Sequence, residues 1–265
     1  MDEILAELGY RRGRTRQFCL TMVFVCATGI FLALGYLVSA LGVNPVLLHV
    51  AIWAGWFIWQ GHFFGQHRQH YLSADPATAY RRAFRRDILP GVTLGVSQMV
   101  RPVWGGVLGL LQSSSLPHPL AACAGVVCGI VGIRLLYLGF RTIGFDGAGF
   151  LYEYKERAVP LTRRSIYAFI RHPLFLGGVL ASVGASLLLG GPETLVMAAI
   201  NIAVLPIYER LEDARLTRVF GNHYLSYRSK VGGFVPRFRL VKENRAAEDA
   251  EASEVQAALS DSESI

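Results

Sequence analysis

The first apolar run of the chain does most to limit how it can fold. Residues 18–41 contain no Asp, Glu, Lys or Arg, and about 20 apolar residues in a helix are enough to cross a bilayer. In lipid, only helices and closed β-barrels satisfy every backbone N–H and C=O group. The stretch does not alternate between apolar and polar residues, which favours a helix. Because it lacks the short apolar core and cleavage site of a signal peptide, we expect it to remain as a structural helix.

Composition extends this expectation to the whole chain. Of its 265 residues, 52% are hydrophobic and 17% are charged, which leaves too little polar surface to cover a soluble domain of this length. We therefore predict an all-α protein, a polytopic integral membrane bundle of about six transmembrane helices with a cytoplasmic C-terminal cap. The third helix contains Pro90, Pro102 and several glycines, which predicts a break or kink. The six predicted helices are 18–41, 45–65, 88–116, 120–140, 174–190 and 194–208.

Basic clusters predict the orientation of the bundle. Arginines precede the first predicted helix and follow the second and the fourth, and Lys and Arg concentrate in short cytoplasmic loops. Both termini are therefore predicted to be cytoplasmic. The net charge of +7 also favours contact with membrane lipids of negative charge. The arginines cluster at helix ends rather than along one solvent face, so no nucleic-acid partner is expected, and the sequence does not indicate an oligomeric state.

Four parts of the chain follow from these patterns. Residues 1–16 form a basic N-terminus, 17–140 hold four transmembrane helices, and 141–240 hold the last helical hairpin and the cap. Residues 241–265 form a tail that carries seven acidic residues among mostly small and polar ones. Such a composition cannot bury a core, so we expect the tail to be disordered.

A short basic motif opens the last apolar hairpin. Arg171 and His172 come directly before Pro173, which suits the first turn of a helix because it has no backbone N–H to lose. The guanidinium of Arg171 matches a carboxylate, His172 can donate or accept a hydrogen bond, and the helix start presents free N–H groups. The motif therefore predicts a site for an anionic group, with simple anchoring to lipid headgroups as the alternative.

Acidic residues follow the other end of the same hairpin. Glu212 and Asp213 follow Glu209 by three and four positions, and residues at these spacings share a helix face with it. Because the hairpin begins and ends on the same side of the membrane, we expect this cluster to lie near Arg171 and His172. The alternative is ion pairing with arginines of the same helix: Arg210, Arg215 and Arg218.

Together these motifs resemble the isoprenylcysteine carboxyl methyltransferase family of integral membrane enzymes. The family's Arg-His-Pro-x-aromatic-x-Gly resembles residues 171–177, and its Glu-Glu-x-x-Leu resembles residues 212–216. Its Phe-Gly-x-x-Tyr-x-x-Tyr is similar to residues 220–227, and a Val-Pro pair follows at 235–236. These blocks cover under a third of the chain, and the first 140 residues contribute helices without a motif of the family.

The resemblance implies that S-adenosylmethionine binds in a cytoplasm-facing pocket at the end of the bundle. His172, Glu212 and Tyr224 match the family's cofactor-contacting positions, and we add Tyr167 as a fourth cofactor-binding candidate. The same resemblance implies that methyl transfer takes place beside these residues.

Arg171 and Lys230 match the family's basic pair that holds a substrate carboxylate, so they are the candidate catalytic residues. Three departures from the family pattern concern the substrate more than the cofactor. Lys230 stands where the family often has Arg, Asp213 replaces the second Glu, and the segment 232–234 lengthens the path to Val235.

The function predicted from these residues is transfer of a methyl group to a carboxylate or thiol of a small or lipophilic acceptor. The sulfonium donor and an anionic nucleophile both lose charge during transfer, so a pocket that excludes water and aligns the reacting atoms lowers the barrier. A carboxylate needs no base, whereas a thiol or amine would need one, for which His172 or Glu212 is the candidate.

Two other classes of function stay open on the sequence alone. Membrane sterol reductases that use a nicotinamide cofactor have a comparable Arg-His-x-Asn-Tyr-x-Gly motif followed by an acid. Here Leu174 stands in place of the Asn and Gly178 in place of the acid. The other alternative is a helical membrane scaffold without catalytic activity.

Several polar residues lie outside these motifs. Arg101 and Arg134 fall inside apolar segments, where a charge is costly and often functional; snorkelling or pairing with a helix-end carbonyl is the alternative. The glycines at 125–132 follow no predicted strand and indicate close helix packing rather than a phosphate loop.

Three histidines, His62, His67 and His70, lie at the end of the second predicted helix. No carboxylate or second histidine cluster accompanies them in the sequence, so packing is favoured over a metal site.

Overall fold

The computed structural model describes residues 2–10, 13–62, 66–112, 118–155, 160–189 and 191–237. The predicted disorder of the acidic tail, residues 241–265, falls outside these residues.

The described part of the chain is helical, which confirms the predicted all-α class. It holds no strand, and its one isolated β-bridge joins Ile170 and Gly232 in parallel. The helices are α1 (Asp2–Glu7), α2 (Arg14–Ala40), α3 (Pro45–His62), α4 (Arg68–Ala74), α5 (Ala79–Ala83), α6 (Leu89–Gln112), α7 (Pro119–Ala148), α8 (Pro173–Leu189), α9 (Pro192–Ala203), α10 (Leu205–Phe220) and α11 (Asn222–Lys230).

In the residues that the structure describes, the six predicted membrane segments lie on helices, the last of them on α9 and the start of α10. Among the described helices, three are long and apolar enough to cross a membrane: α2, α7 and the nearly continuous α9–α10 stretch. Helix α8 is apolar but shorter. The protein is therefore an integral membrane protein, while the number of six spans and the cytoplasmic position of the termini stay predictions.

Helix α6 shows how the bundle accommodates a proline. Helix α6 continues past Pro102, so it is not broken there, while the predicted kink stays a prediction. A π-helical turn (Phe84–Ile88) precedes it. Proline has no N–H, so it leaves the carbonyl four residues earlier without its helical donor. The side-chain amide of Asn201 on α9 donates to that carbonyl, Gln98 O, at 3.4 Å. A neighbouring helix thus satisfies the group that proline exposes.

Asn201 is also the polar centre of the apolar bundle. It is fully buried, and its amide oxygen lies 3.0 Å from His49 Nε2 and accepts from Trp53 Nε1 at 2.9 Å. Its amide nitrogen donates to Ser182 Oγ at 3.0 Å. These bonds join α3 and α8 to α9, as polar side chains commonly do between membrane helices.

The two intramembrane arginines differ in their surroundings. Arg101 is buried and reaches the last turns of α2, where its Nη2 lies 3.0 Å from Ser39 Oγ and 3.4 Å from Gly35 O. This contact supports the alternative in which a carbonyl near a helix end accepts the charge. Arg134 is exposed on α7.

Glycines allow α7 and α8 to approach closely. A Cβ atom at Gly132 would lie 2.5 Å from Ala181 N and 2.7 Å from Gly177 O, both backbone atoms of α8. A Cβ at Gly184 would lie 2.5 Å from Gly129 N. Helices in lipid associate mainly through such close packing, so the predicted packing role of the α7 glycines is confirmed.

This contact generates a test with a matched control. Gly132→Ala is expected to lower the stability by about 1–3 kcal/mol, because the new methyl group meets immovable backbone atoms. Gly129→Ala, on the same helix, is expected to leave it unchanged, because a Cβ there has no atom within 4 Å. Thermal unfolding of both variants in detergent is the measurement. Equal melting temperatures for the two would contradict this account of the α7–α8 contact.

Candidate functional site

The two ends of the last helical hairpin meet, as the sequence predicts. Arg171 and His172 precede α8, and the acidic residues lie on α10. Arg171 Nη2 lies 2.6 Å from Glu209 Oε1, and Arg171 Nη1 lies 3.1 Å from Asp213 Oδ2. His172 Nε2 lies 3.0 Å from Asp213 Oδ1. The expected proximity of the basic motif and the acidic cluster is therefore confirmed.

Asp213 is the centre of this arrangement. Its carboxylate also accepts a short hydrogen bond from the hydroxyl of Tyr224 and lies 3.1 Å from Arg228 Nε. Only 3% of Asp213 is exposed, so these donors replace the water that a charged carboxylate requires. From sequence, Asp213 was a departure from the family pattern, whereas the structure places it between the predicted residues Arg171, His172 and Tyr224.

Glu212 faces a different part of the protein. Successive residues of an α-helix are about 100° apart around the axis, so Glu212 points away from the side of α10 that Asp213 occupies. Its Oε2 pairs closely with Arg215 Nη2, and its Oε1 accepts from Tyr152 at 3.3 Å. The alternative of pairing within the helix thus applies to Glu212, and its cofactor contact stays a prediction.

A short backbone contact holds the basic motif in place. Arg171 N donates to Gly232 O at 2.9 Å, and His172 N donates to Gly233 O at 3.1 Å. A Cβ at Gly232 would fall on Val235 O, and one at Gly233 would fall on the carboxylate of Glu209. Glycine is therefore required at position 232, where the obstacle is backbone, while a side chain at position 233 would displace the carboxylate of Glu209. The longer path at 232–234, noted from the sequence, forms this contact.

Aromatic rings surround the imidazole of His172. The ring of Tyr208 lies edge-on to it at a centroid distance of 5.8 Å, and that of Phe234 lies at 5.7 Å. Tyr208 in turn stacks on Phe175, with centroids 3.7 Å apart. Such packing restricts the orientation of the imidazole beyond what its bond to Asp213 provides.

A cleft of about 410 Å³ opens beside Arg171. Pockets for small ligands commonly have volumes of about 300–1,000 Å³. Three guanidinium groups face one carboxylate in this cleft, so it favours a ligand that carries a negative group. The residues that line it are Arg171, Glu209, Leu225, Arg228, Ser229 and Arg237.

Two other predicted residues, Tyr167 and Lys230, lie at the edge of this arrangement. Tyr167 is buried, and its carbonyl accepts from the hydroxyl of Tyr227 at 2.6 Å, which attaches α11 to the segment before α8. Lys230 is exposed at the end of α11 and does not line the cleft. Arg228 and Arg237, which sequence reasoning missed, supply the basic groups there.

The buried tyrosines of the site act as hydrogen-bond donors. Burial raises the pKa of Tyr224 far above its ordinary value, and its bond to Asp213 raises it further. Burial likewise raises the pKa of Tyr167. Both phenols are therefore protonated at neutral pH, which excludes them as general bases.

The spacing of Arg228 from Tyr224 is a partial sequence signal for Arg228, which sequence reasoning missed. Arg228 lies four positions after Tyr224 and so on the same face of α11, where it reaches Asp213. No such signal marks Glu153, which contacts three arginines at the same end of the bundle. Its partner Arg215 is more than 60 residues away, and only packing joins them.

Among the described residues, no group of three or more His, Cys, Asp or Glu side chains is placed to hold a metal ion.

Comparison with known proteins finds relatives of this chain among methyltransferases. Residues 120–223 match the family model described as phospholipid methyltransferase. Over 121 residues the chain is 33% identical to protein-S-isoprenylcysteine O-methyltransferase of Saccharomyces cerevisiae. The aligned region covers 42% of this chain and 49% of the yeast protein. The chain thus spans about half the length of that relative. No solved structure matches it significantly.

The predicted resemblance to membrane methyltransferases is thereby confirmed. The family match runs from α7 to the start of α11, so it includes Arg171, His172 and Glu212 and ends just before Tyr224. Neither match favours the sterol-reductase alternative.

The central role of Asp213 is testable. Asp213→Asn is expected to lower the free energy of unfolding by about 3 kcal/mol or more, because it leaves the buried guanidinium of Arg171 without its charge partner at that position. Glu209→Gln is the matched control with a smaller expected loss, since the side chain of Glu209 is 31% exposed. Chemical denaturation in detergent measures both. A loss for Glu209→Gln as large as that for Asp213→Asn would contradict the central role of Asp213.

Proposed function

We propose that this protein is an S-adenosylmethionine-dependent membrane methyltransferase that transfers a methyl group to a carboxylate or thiol of a small or lipophilic acceptor. The observation that carries the proposal is the convergence of Arg171, His172 and Tyr224 on Asp213. This convergence lies at the end of an apolar bundle and within or next to the region that matches methyltransferases. A soluble donor and a lipid-borne acceptor can meet at such a place.

The residues proposed to hold the cofactor are His172, Tyr224, Tyr167 and Glu212. S-adenosylmethionine supplies the methyl group on a positively charged sulfonium. The carboxylate of Glu212 and the rings around His172 suit positive charge, because carboxylates and aromatic faces both attract cations. His172 is held by Asp213 and by Phe234, so its imidazole is preorganised for a ligand.

The residues proposed to hold the acceptor are the basic ones of the cleft. Arg171 is buried and held by two carboxylates, whereas Arg237 is exposed and Arg228 half-exposed. Arg228 pairs with Asp213 and Arg237 donates to Ser229 O, but both side chains reach solvent and can also contact an anionic group. Lys230 lies at the end of α11. A carboxylate bound there is already a nucleophile, so the protein needs only to align it and exclude water.

A thiol acceptor would need a base. His172 is the candidate, because the Asp213 carboxylate at 3.0 Å from its Nε2 orients the imidazole. Because three arginines and one glutamate line the cleft, it favours a carboxylate acceptor over a thiol.

Donor binding tests the proposed function. Purified protein in nanodiscs is expected to bind S-adenosylmethionine in titration calorimetry, and His172→Ala is expected to weaken binding at least about tenfold. His70→Ala is the matched control, because His70 is exposed on α4 and away from the site. Absence of binding to the wild-type protein, or equal binding by His172→Ala, would contradict the proposal.

The acceptor can be identified with a labelled methyl donor. Membranes that contain the protein are incubated with an S-prenylated cysteine, a thiol or phospholipid vesicles, and label that base releases as methanol indicates a methyl ester. Arg237→Ala is expected to raise the KM for a carboxylate acceptor about tenfold with donor affinity unchanged. Arg163→Ala is the control, since Arg163 bonds His223 O at 2.8 Å and does not line the cleft. An unchanged KM for Arg237→Ala would refute its role.

A further inference from the structure

A buried carboxylate outside the cleft collects three guanidinium groups. Glu153 follows α7 in a short 3₁₀ turn (Leu151–Glu153) and is 1% exposed. Its carboxylate lies 3.2 Å from Arg68 Nε, 3.3 Å from Arg215 Nε and 3.5 Å from Arg218 Nη2. Burial raises the pKa of Glu153, which the nearby guanidinium groups oppose. The three guanidinium groups favour the charged form of this carboxylate.

The turn that carries Glu153 is itself held in place. Phe150 has a φ of 56°, a left-handed conformation that residues other than glycine rarely adopt. The preceding carbonyl, Gly149 O, accepts from the hydroxyl of Tyr80 at 3.0 Å. Arg68 Nε also donates to the main-chain carbonyl of Glu153 at 2.7 Å. These contacts fix both the backbone and the side chain of Glu153.

Arg215 connects Glu153 to the proposed cofactor-binding residue Glu212. Its side chain is 4% exposed, lies over the ring of Phe150 at 4.1 Å, and pairs with both carboxylates. The second oxygen of Glu212 accepts from Tyr152, the neighbour of Glu153. The segment 150–153 therefore contacts both members of the Arg215–Glu212 pair.

We propose that Glu153 is a positioning residue that sets the charge and orientation of Glu212 and so favours a positively charged ligand beside it. This inference rests on the proposed function, because it takes Glu212 as part of the donor site. With Glu153 in place, Arg215 faces two carboxylates; without the charge of Glu153, it faces only that of Glu212. Arg215 then binds Glu212 alone, and the surroundings gain one positive charge, which repels a cation in a medium of low dielectric.

The donor and its product differ in the charge at their sulfur atom, and the negative charge of Glu153 should affect the binding of a positively charged ligand. S-adenosylmethionine carries a sulfonium, whereas S-adenosylhomocysteine, which remains after methyl transfer, has a neutral thioether at that position. Loss of the Glu153 charge should therefore weaken the donor more than the product. A purely structural role would weaken both ligands alike.

The experiment measures the dissociation constants of both ligands for wild-type protein, Glu153→Gln and a matched control in nanodiscs. The expected result for Glu153→Gln is donor binding weakened about tenfold and product binding changed by less than about threefold. The control is Asp87→Asn, because Asp87 is also a buried acid but lies next to His67, at 3.9 Å. We expect Asp87→Asn to leave the ratio of the two constants unchanged.

A second variant tests the same idea in the opposite direction if Glu153→Gln does not fold. Arg218→Gln removes one of the three guanidiniums at a side chain that is 39% exposed, so the fold should tolerate it. It is expected to strengthen donor binding relative to product binding. Melting temperatures of all variants show whether each is folded.

The outcomes separate the two proposals. If wild-type protein binds both ligands and neither Glu153→Gln nor Arg218→Gln changes their ratio, the role of Glu153 is refuted and the proposed function stands. If Glu153→Gln weakens both ligands equally, the role is structural and the inference is also refuted. If wild-type protein binds neither ligand, the proposed function fails and the inference fails with it.

Discussion

One buried carboxylate, that of Asp213, holds the polar end of this protein together. A charge in a nearly water-free position is stable only when donors replace its hydration. Here the donors to the carboxylate on α10 come from two places in the chain: the turn before α8 supplies Arg171 and His172, and α11 supplies Tyr224 and Arg228. The ends of the hairpin and the last helix are consequently brought into one site.

The apolar part of the bundle makes this arrangement possible. Glycines of α7 let α8 approach to backbone distance, and Asn201 ties α9 to α3 and α8. In lipid, such packing and buried hydrogen bonds take over much of the role that the hydrophobic effect has in water. These contacts hold the α8–α9 hairpin in the bundle, and its two polar ends lie together at one end of it.

Two carboxylates of α10, Asp213 and Glu212, neutralise different groups of arginines. Asp213 compensates the basic residues next to the cleft, while Glu212 shares Arg215 with Glu153. The cleft keeps an excess of guanidinium groups, which suits an anionic acceptor. The separation suits methyl transfer, in which a cationic donor and an anionic acceptor must bind side by side before their charges are lost.

The sequence by itself determined the helices and the motif that meets α10, because apolar runs of membrane length and short motifs are local properties of the chain. It also determined that the acidic residues lie near Arg171, since a hairpin returns to the side from which it starts. Only the tertiary structure decided that Asp213 rather than Glu212 faces His172, and that Arg228 and Arg237 rather than Lys230 line the cleft. Those choices depend on the rotation of α10 and α11 against their neighbours. Packing between residues some 40 to 60 positions apart sets that rotation, and no local pattern contains it.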